Sequence, residues 1–307
     1  MEKRGAPYGE ARRLKYFVTI CNEMLRYDAV DLDLLIDRLI LSVQKINTKL
    51  PEYVRTTGIM KTKAVTRNYL RFADWLNLLN IESRLVTRNS YTVFFACLQG
   101  REDFHLTDEE KIGFFLKLSE LDDLIRMIKL LRIRNSIKNL IASLDLSEHF
   151  VESYFEWLVD LGILNPINPK FGNFNLTNLG YHVREACNNG KTMIGISETY
   201  IEKLLGKNIQ HGITISDDLI WFSFHESLKK LESHVRSEVD RNLYSAFPLV
   251  LDLQLRLVLK YHLLVSPTEL IEKLKHISTD HNSLFSWDQM ANAGYFKILR
   301  DKNDIRR

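Results

Sequence analysis

Apolar residues recur every three or four positions through most of the chain, the spacing of amphipathic helices. The pattern predicts helices over residues 12–25, 31–50, 63–79, 107–121, 124–132, 137–144, 147–161 and 176–186. In the last third it predicts helices over 198–205, 216–235, 247–264 and 266–274. Residues 251–261 also alternate at period two. Their leucine-rich composition, their length and Pro248 in the first turn select helix over strand. Local signals agree: Thr107-Asp-Glu-Glu110 is a capping box, the Asp-rich start at Asp31 suits a helix amino end, and Asn188-Asn189-Gly190 is a stop. Short β-compatible runs interrupt the helices. Residues 81–86 and 91–96 flank turn-like 87–90, which predicts a hairpin. Residues 162–164 and 171–174 flank a loop with Pro166 and Pro169, and 295–299 read as a closing strand.

Two stretches align without a gap: Trp75-Leu76-Asn77-Leu78-Leu79-Asn80-Ile81 over Trp157-Leu158-Val159-Asp160-Leu161-Gly162-Ile163. Each ends a helix with apolar steps of three and four (Val65, Tyr69, Phe72, Leu76, Leu79; Val151, Tyr154, Leu158, Leu161), and a hairpin-like segment follows. With Leu161-Gly162-Ile163-Leu164 and Leu176-Thr177-Asn178-Leu179-Gly180, residues 50–98 and 107–187 resemble the winged helix-turn-helix superfamily. The first copy departs from the pattern, with Asn80 at the usual glycine and no Leu-Thr-x-x-Gly after its hairpin. The resemblance implies a mainly α chain with small β-hairpin wings: tandem winged-helix modules plus a helical carboxy-terminal domain. Residues 1–104 would hold the amino-terminal helices and module 1, and 105–190 module 2. Residues 191–307 would be mostly helical. A degenerate third winged helix and helical dimerisation are the two alternatives there. By analogy, tandem winged helices occur in transcription regulators and in the recognition parts of restriction enzymes.

Charge changes the picture more than composition does. The 307 residues carry 42 Lys and Arg against 39 Asp and Glu, a net of +3, with only 13 Gly and 6 Pro. That excludes a disordered chain, a collagen-like fibre and a disulfide scaffold. Residues 1–100 hold 16 basic and 10 acidic side chains, whereas 101–190 hold 10 and 14. In the first copy Lys63, Arg67 and Arg71 share one helix face, beside Asn68 and after Lys61, with Arg84 and Arg88 in the wing. Such a face would offer Arg to guanine edges and Asn to adenine, with wing cations on phosphate. The same alignment puts Asp145, His149 and Ser153 in the second copy. Glu148, Glu152, Glu156 and Asp160 line its adjacent face and would repel phosphate. The second module therefore reads as a spacer or protein contact through Glu148, Glu152 and Glu156. Arg126, Lys129, Arg132, Arg134 and Lys138 beside it either touch backbone phosphate or pair with those acids.

Signatures of catalysis are missing from the sequence: no phosphate loop, dinucleotide fingerprint, nucleophile elbow or zinc motif occurs. Cys21, Cys97 and Cys187 are widely spaced and read as reduced thiols. Asp280 between His276 and His281 reads as a polar loop, and Trp221, Phe222, Phe224 and His225 as core or interface. Asp252, Arg256 and Lys260 break the most apolar stretch, so no membrane span is expected, and a cytoplasmic location follows. The expectation is a non-enzymatic, cofactor-free protein that binds double-stranded DNA through residues 61–88, together with a protein partner or a second copy. It would serve as a regulator or recognition subunit. The alternative is a scaffold or accessory subunit whose winged helices bind proteins.

Overall fold

In the computed structural model, residues 11–49, 59–98, 104–144, 146–168, 173–211, 215–235, 243–280, 285–290 and 293–298 are described. The chain is mainly helical with small sheets, and divides into two compact units, residues 1–207 and 208–307.

The first unit begins with α1 (Leu14–Met24), β1 (Ala29–Asp31), α2 (Leu32–Ser42), the short α3 (Gln44–Asn47), α4 (Lys63–Trp75), β2 (Leu79–Glu82), β3 (Leu85–Arg88) and α5 (Ser90–Ala96). The sheet order is β1-β3-β2, antiparallel throughout. After α6 (Asp108–Leu118), the order recurs as α7 (Asp122–Leu130), β4 (Arg134–Ser136), α8 (Ile137–Ile141), α9 (Glu148–Asp160), β5 (Leu164–Asn168) and β6 (Asn173–Leu176). Here the sheet order is β4-β6-β5, so in both repeats the strand before the second helix pairs with the last strand. Helices α10 (Asn178–Asn188) and α11 (Met193–Leu205) close the unit. Tyr200 of α11 stacks on Phe115 of α6 at 3.8 Å.

The second unit holds β7 (Gln210–His211), α12 (Asp217–Val235), β8 (Leu243–Ser245), α13 (Ala246–Arg256), a π-helical turn (Leu257–Tyr261), β9 (Leu263–Leu264), α14 (Pro267–Asp280), β10 (Phe285–Met290) and β11 (Ala293–Ile298). Its sheet order, β10-β11-β8, repeats the arrangement a third time. Residues 251–261 are helical as expected, although the last turn widens to π before His262 enters the left-handed region at φ 58°.

The first hairpin departs from the expectation. Its strands are β2 and β3, joined by the two-residue turn Ser83-Arg84 with Ser83 at φ 57°. Residues 91–96 are helical, because the Asn89 side chain accepts from the Tyr91 and Thr92 amides while Thr92 Oγ1 accepts from Asn89 N. This capping box outweighs the β propensity of the aromatic run. The helix expected over 31–50 starts one residue later, because Asp31 is its N-cap and also ends β1; it is divided at Val43 into α2 and α3, and residue 50 lies outside the described residues.

Both repeats share one core in the first unit. Tyr16 and Phe17 of α1, Tyr69 and Phe72 of α4, and Tyr154 and Trp157 of α9 are fully or almost fully buried. Edge-to-face contacts run Phe17–Trp157 at 6.1 Å and Phe72–Trp157 at 5.9 Å. Residues 11–14 lie along α9. Trp157 Nε1 donates to Ala11 O at 2.9 Å, Arg12 meets Glu152 at 2.6 Å, and Arg13 meets Glu156 at 2.5 Å and Asp160 at 3.4 Å. Leu14 N donates to Asp160 at 2.8 Å, and the Tyr69 hydroxyl accepts from the Arg12 and Arg13 amides. Lys15 adds a buried pair to Glu110 at 2.6 Å. Arg13 and Glu156 side chains are 2% and 3% exposed. Pairs this dry hold only because each charge has its partner.

The Leu176-Thr177-x-x-Gly180 motif has a local cause. Thr177 Oγ1 accepts from Gly180 N at 2.9 Å, capping α10, and its hydroxyl reaches the Gly162 carbonyl at 2.7 Å. A Cβ at Gly180 would lie 2.2 Å from Ile163 O and 2.8 Å from Leu176 Cδ1. Gly180→Ala is expected to cost about 2–3 kcal/mol or more, because the obstacle includes backbone; urea unfolding measures it. Arg13→Ala should cost about 3–5 kcal/mol in the same assay, because it strands buried carboxylates.

Candidate nucleic-acid interface

Helix α4 starts at Lys63 because Thr62 Oγ1 accepts from Val65 N at 3.3 Å. Four of the seven predicted contact residues are already engaged by carboxylates of their own repeat. Lys63 Nζ is 2.6 Å from Asp37, and Arg67 is 3.0 Å from Asp33. Arg84 is 2.5 Å from Asp33 and 3.7 Å from Asp31, and Arg88 is 2.5 Å from Asp28. Lys61 and Arg71 are exposed and Asn68 is half-buried; among the described residues none of the three has an ion-pair partner.

The carboxylates are held there by the fold of α2. Asp31 accepts from the Asp33 and Leu34 amides as its N-cap, and Asp33 lies in the first turn, where the helix dipole favours a negative charge. The pairs are solvent-exposed, so each contributes about 0–1 kcal/mol. A phosphate can displace such a carboxylate, but the displaced charge stays nearby and repels it. These partners lie 26–60 residues away from their cations in sequence, so helix periodicity gave no sign of them.

The acidic face of α9 requires a correction. Of Glu148, Glu152 and Glu156, expected to meet a partner protein, Glu152 and Glu156 are engaged by Arg12 and Arg13 of the same chain. Glu148 alone remains exposed. Ser153, aligned with exposed Arg71, is fully buried. The α9 face that would correspond to a reading surface is therefore covered from within. A sign lay in the doublet Arg12-Arg13, which complements acids spaced by four on a helix.

The cations expected to pair with those acids do not do so. Arg126 pairs with Asp123 at 3.2 Å. Among the described residues no acid lies in ion-pair range of Lys129, Arg132, Arg134 or Lys138, all exposed. No acid occurs in residues 124–144. Side-chain hydrogen bonds brace the corner between β4 and α8: Asn135 accepts from Arg132 N at 2.6 Å and donates to Arg132 O at 2.5 Å. Asn135 also pairs with Phe174 across the sheet, and Ser136 Oγ caps α8 by accepting from Asn139 N. Around this corner opens a cleft of about 260 Å³, lined by Arg132, Arg134, Ser136, Asn139 and Ser143 with Leu130.

Elsewhere, Phe224 is buried core, whereas Phe222 is half exposed with Lys260 Nζ 5.3 Å above its ring. Cys21 and Cys187 are buried, and burial pushes the Cys187 thiol up to about 11. His276 faces Asp217 at 3.9 Å, and His281 lies outside the described residues. Among the described residues no group of three or more His, Cys, Asp or Glu is arranged to hold a metal ion, and no helix is long and apolar enough to cross a membrane.

Burial raises the Asp160 carboxyl to about 6, with the Arg13 guanidinium opposing the shift. A carboxyl raised in the folded state binds its proton more tightly there than in the unfolded chain. Its stabilising contribution is complete below about pH 4 and is lost as pH rises through about 6. Asp160→Asn should remove this component. The difference in urea midpoint between variant and wild type then moves in the variant's favour as pH rises from 4 to 7.

Comparison with known protein families, curated proteins and solved structures found no match to this chain.

Proposed function

We propose that the chain is a non-enzymatic double-stranded DNA-binding protein built from winged-helix modules, acting as a regulator or as the recognition subunit of a larger complex. The supporting observation is the element order that recurs three times: helix, strand, helix, helix and a two-stranded hairpin, with the early strand beside the last. In the first two copies this frame carries solvent-facing cations. Lys61, Asn68 and Arg71 are open to a duplex directly. Lys63, Arg67, Arg84 and Arg88 engage only by exchanging a carboxylate for a phosphate. That exchange weakens base reading by α4 and leaves the sequence-independent backbone term dominant.

A second reading, a scaffold or accessory subunit that binds proteins, is favoured by exposed apolar side chains of the second repeat. Ile133 is 73% exposed and Ile167 53%. Apolar exposure of this kind marks protein contact sites when it is contiguous.

Titration of a labelled duplex at about 50 and 200 mM salt separates the two. With about four phosphate contacts, affinity should fall roughly a hundredfold across that range. Absence of binding at low salt would favour the protein-binding reading. Asp33→Asn releases Arg67 and Arg84 together, and should tighten duplex binding about three- to tenfold at low salt, read by fluorescence anisotropy.

A further inference from the structure

We propose that the β4–α8 corner of the second repeat, with Arg132 and Arg134 lining its cleft and exposed Lys138 on α8, is the site where this chain binds the sugar-phosphate backbone of duplex DNA. The assignment rests on the DNA-binding reading and names where the phosphate contacts sit.

Charge at equivalent places in the two repeats is inverted. The β1–α2 corner of the first repeat carries Asp28, Asp31, Asp33 and Asp37, and these neutralise the cations of α4 and its hairpin. The β4–α8 corner of the second carries Arg132, Arg134 and Lys138, and α9, which packs on α8, carries Glu152, Glu156 and Asp160. Those acids are consumed: Glu152 by Arg12, Glu156 and Asp160 by Arg13. Among the described residues no carboxylate lies in ion-pair range of Arg132, Arg134 or Lys138.

The chemistry of the cleft suits a phosphodiester. Arginine presents a planar fork of donors that matches phosphate oxygens in pairs. Asn135 locks the backbone of Arg132, which limits the ordering cost on binding. Ser136, Asn139 and Ser143 add hydroxyl and amide groups along the same rim. Arg132, Arg134 and Lys138 are exposed, as is Lys129, so the site is open to a chain of phosphates rather than to one enclosed anion.

The test uses the full chain and a labelled random-sequence duplex. Arg132→Ala with Arg134→Ala should weaken binding at least tenfold at about 50 mM salt. It should also flatten the log-affinity against log-salt slope by nearly 2, about 0.9 for each phosphate no longer neutralised. A charge-matched control at exposed sites, Lys203→Ala with Lys207→Ala, should change neither by more than about twofold. The altered side chains are exposed, and Lys138→Glu on α8 gives a second variant that should also weaken binding. Wild type that binds while both cleft variants bind equally well, with unchanged slopes, overturns the cleft assignment and leaves the DNA reading standing. Wild type that ignores duplex at low salt, including a wild type that binds polyglutamate instead, overturns both.

Discussion

The buried contact between residues 11–14 and α9 organises the first unit. It sets two guanidinium groups against three carboxylates in a space with little water, at a desolvation cost that their pairing offsets. Surrounding groups add hydrogen bonds to it. The Tyr69 hydroxyl takes two amides at the start of α1, Asp160 takes the Leu14 amide, and Trp157 donates to Ala11. Because Tyr69 belongs to α4 and Trp157 to α9, the same contact sets the aromatic core that both repeats share. Two stretches alike in sequence thus fold as parts of one unit, and the outer face of α9 becomes interior.

That burial decides which charges remain for a ligand. Exposed ion pairs in the first repeat cost little to break, yet their aspartates are fixed by the capping of α2 and stay where a phosphate would go. In the second repeat Glu152, Glu156 and Asp160 are locked inside, and among the described residues no carboxylate pairs with Arg132, Arg134 or Lys138. The repeats share comparable frames, but differ in where the opposing charge is spent. Net charge and helix-face counting alone would rank them the other way.

Much of the fold was legible because it is local. The capping box at Thr107, the Leu-Thr-x-x-Gly turn and the three- and four-residue apolar steps each act within a few residues, and each appears where expected except at Leu79, which opens β2 because α4 ends at Trp75 and Asn77 turns left-handed. The first hairpin falls elsewhere because Ser83 takes a left-handed conformation without glycine or asparagine to announce it, and because Asn89 and Thr92 cap a helix inside a β-rich run. The candidate site was less legible. Its cations were identified, but their partners sit 26–60 residues away in the first repeat and about 140 or more in the α9 contact. Helix periodicity carries no information at those separations. The pairing of Asp33 with both Arg67 and Arg84 depends on β1 crossing beside β3, a strand too short to be seen in the pattern.

Amide hydrogen exchange with and without a duplex, at low salt, locates the contact surface directly. Slowed exchange concentrated in residues 132–143, with little change along α4, is the expected result. Slowed exchange along residues 63–71 and in the β2–β3 hairpin, with none at 132–143, would contradict it and restore the first repeat as the reader.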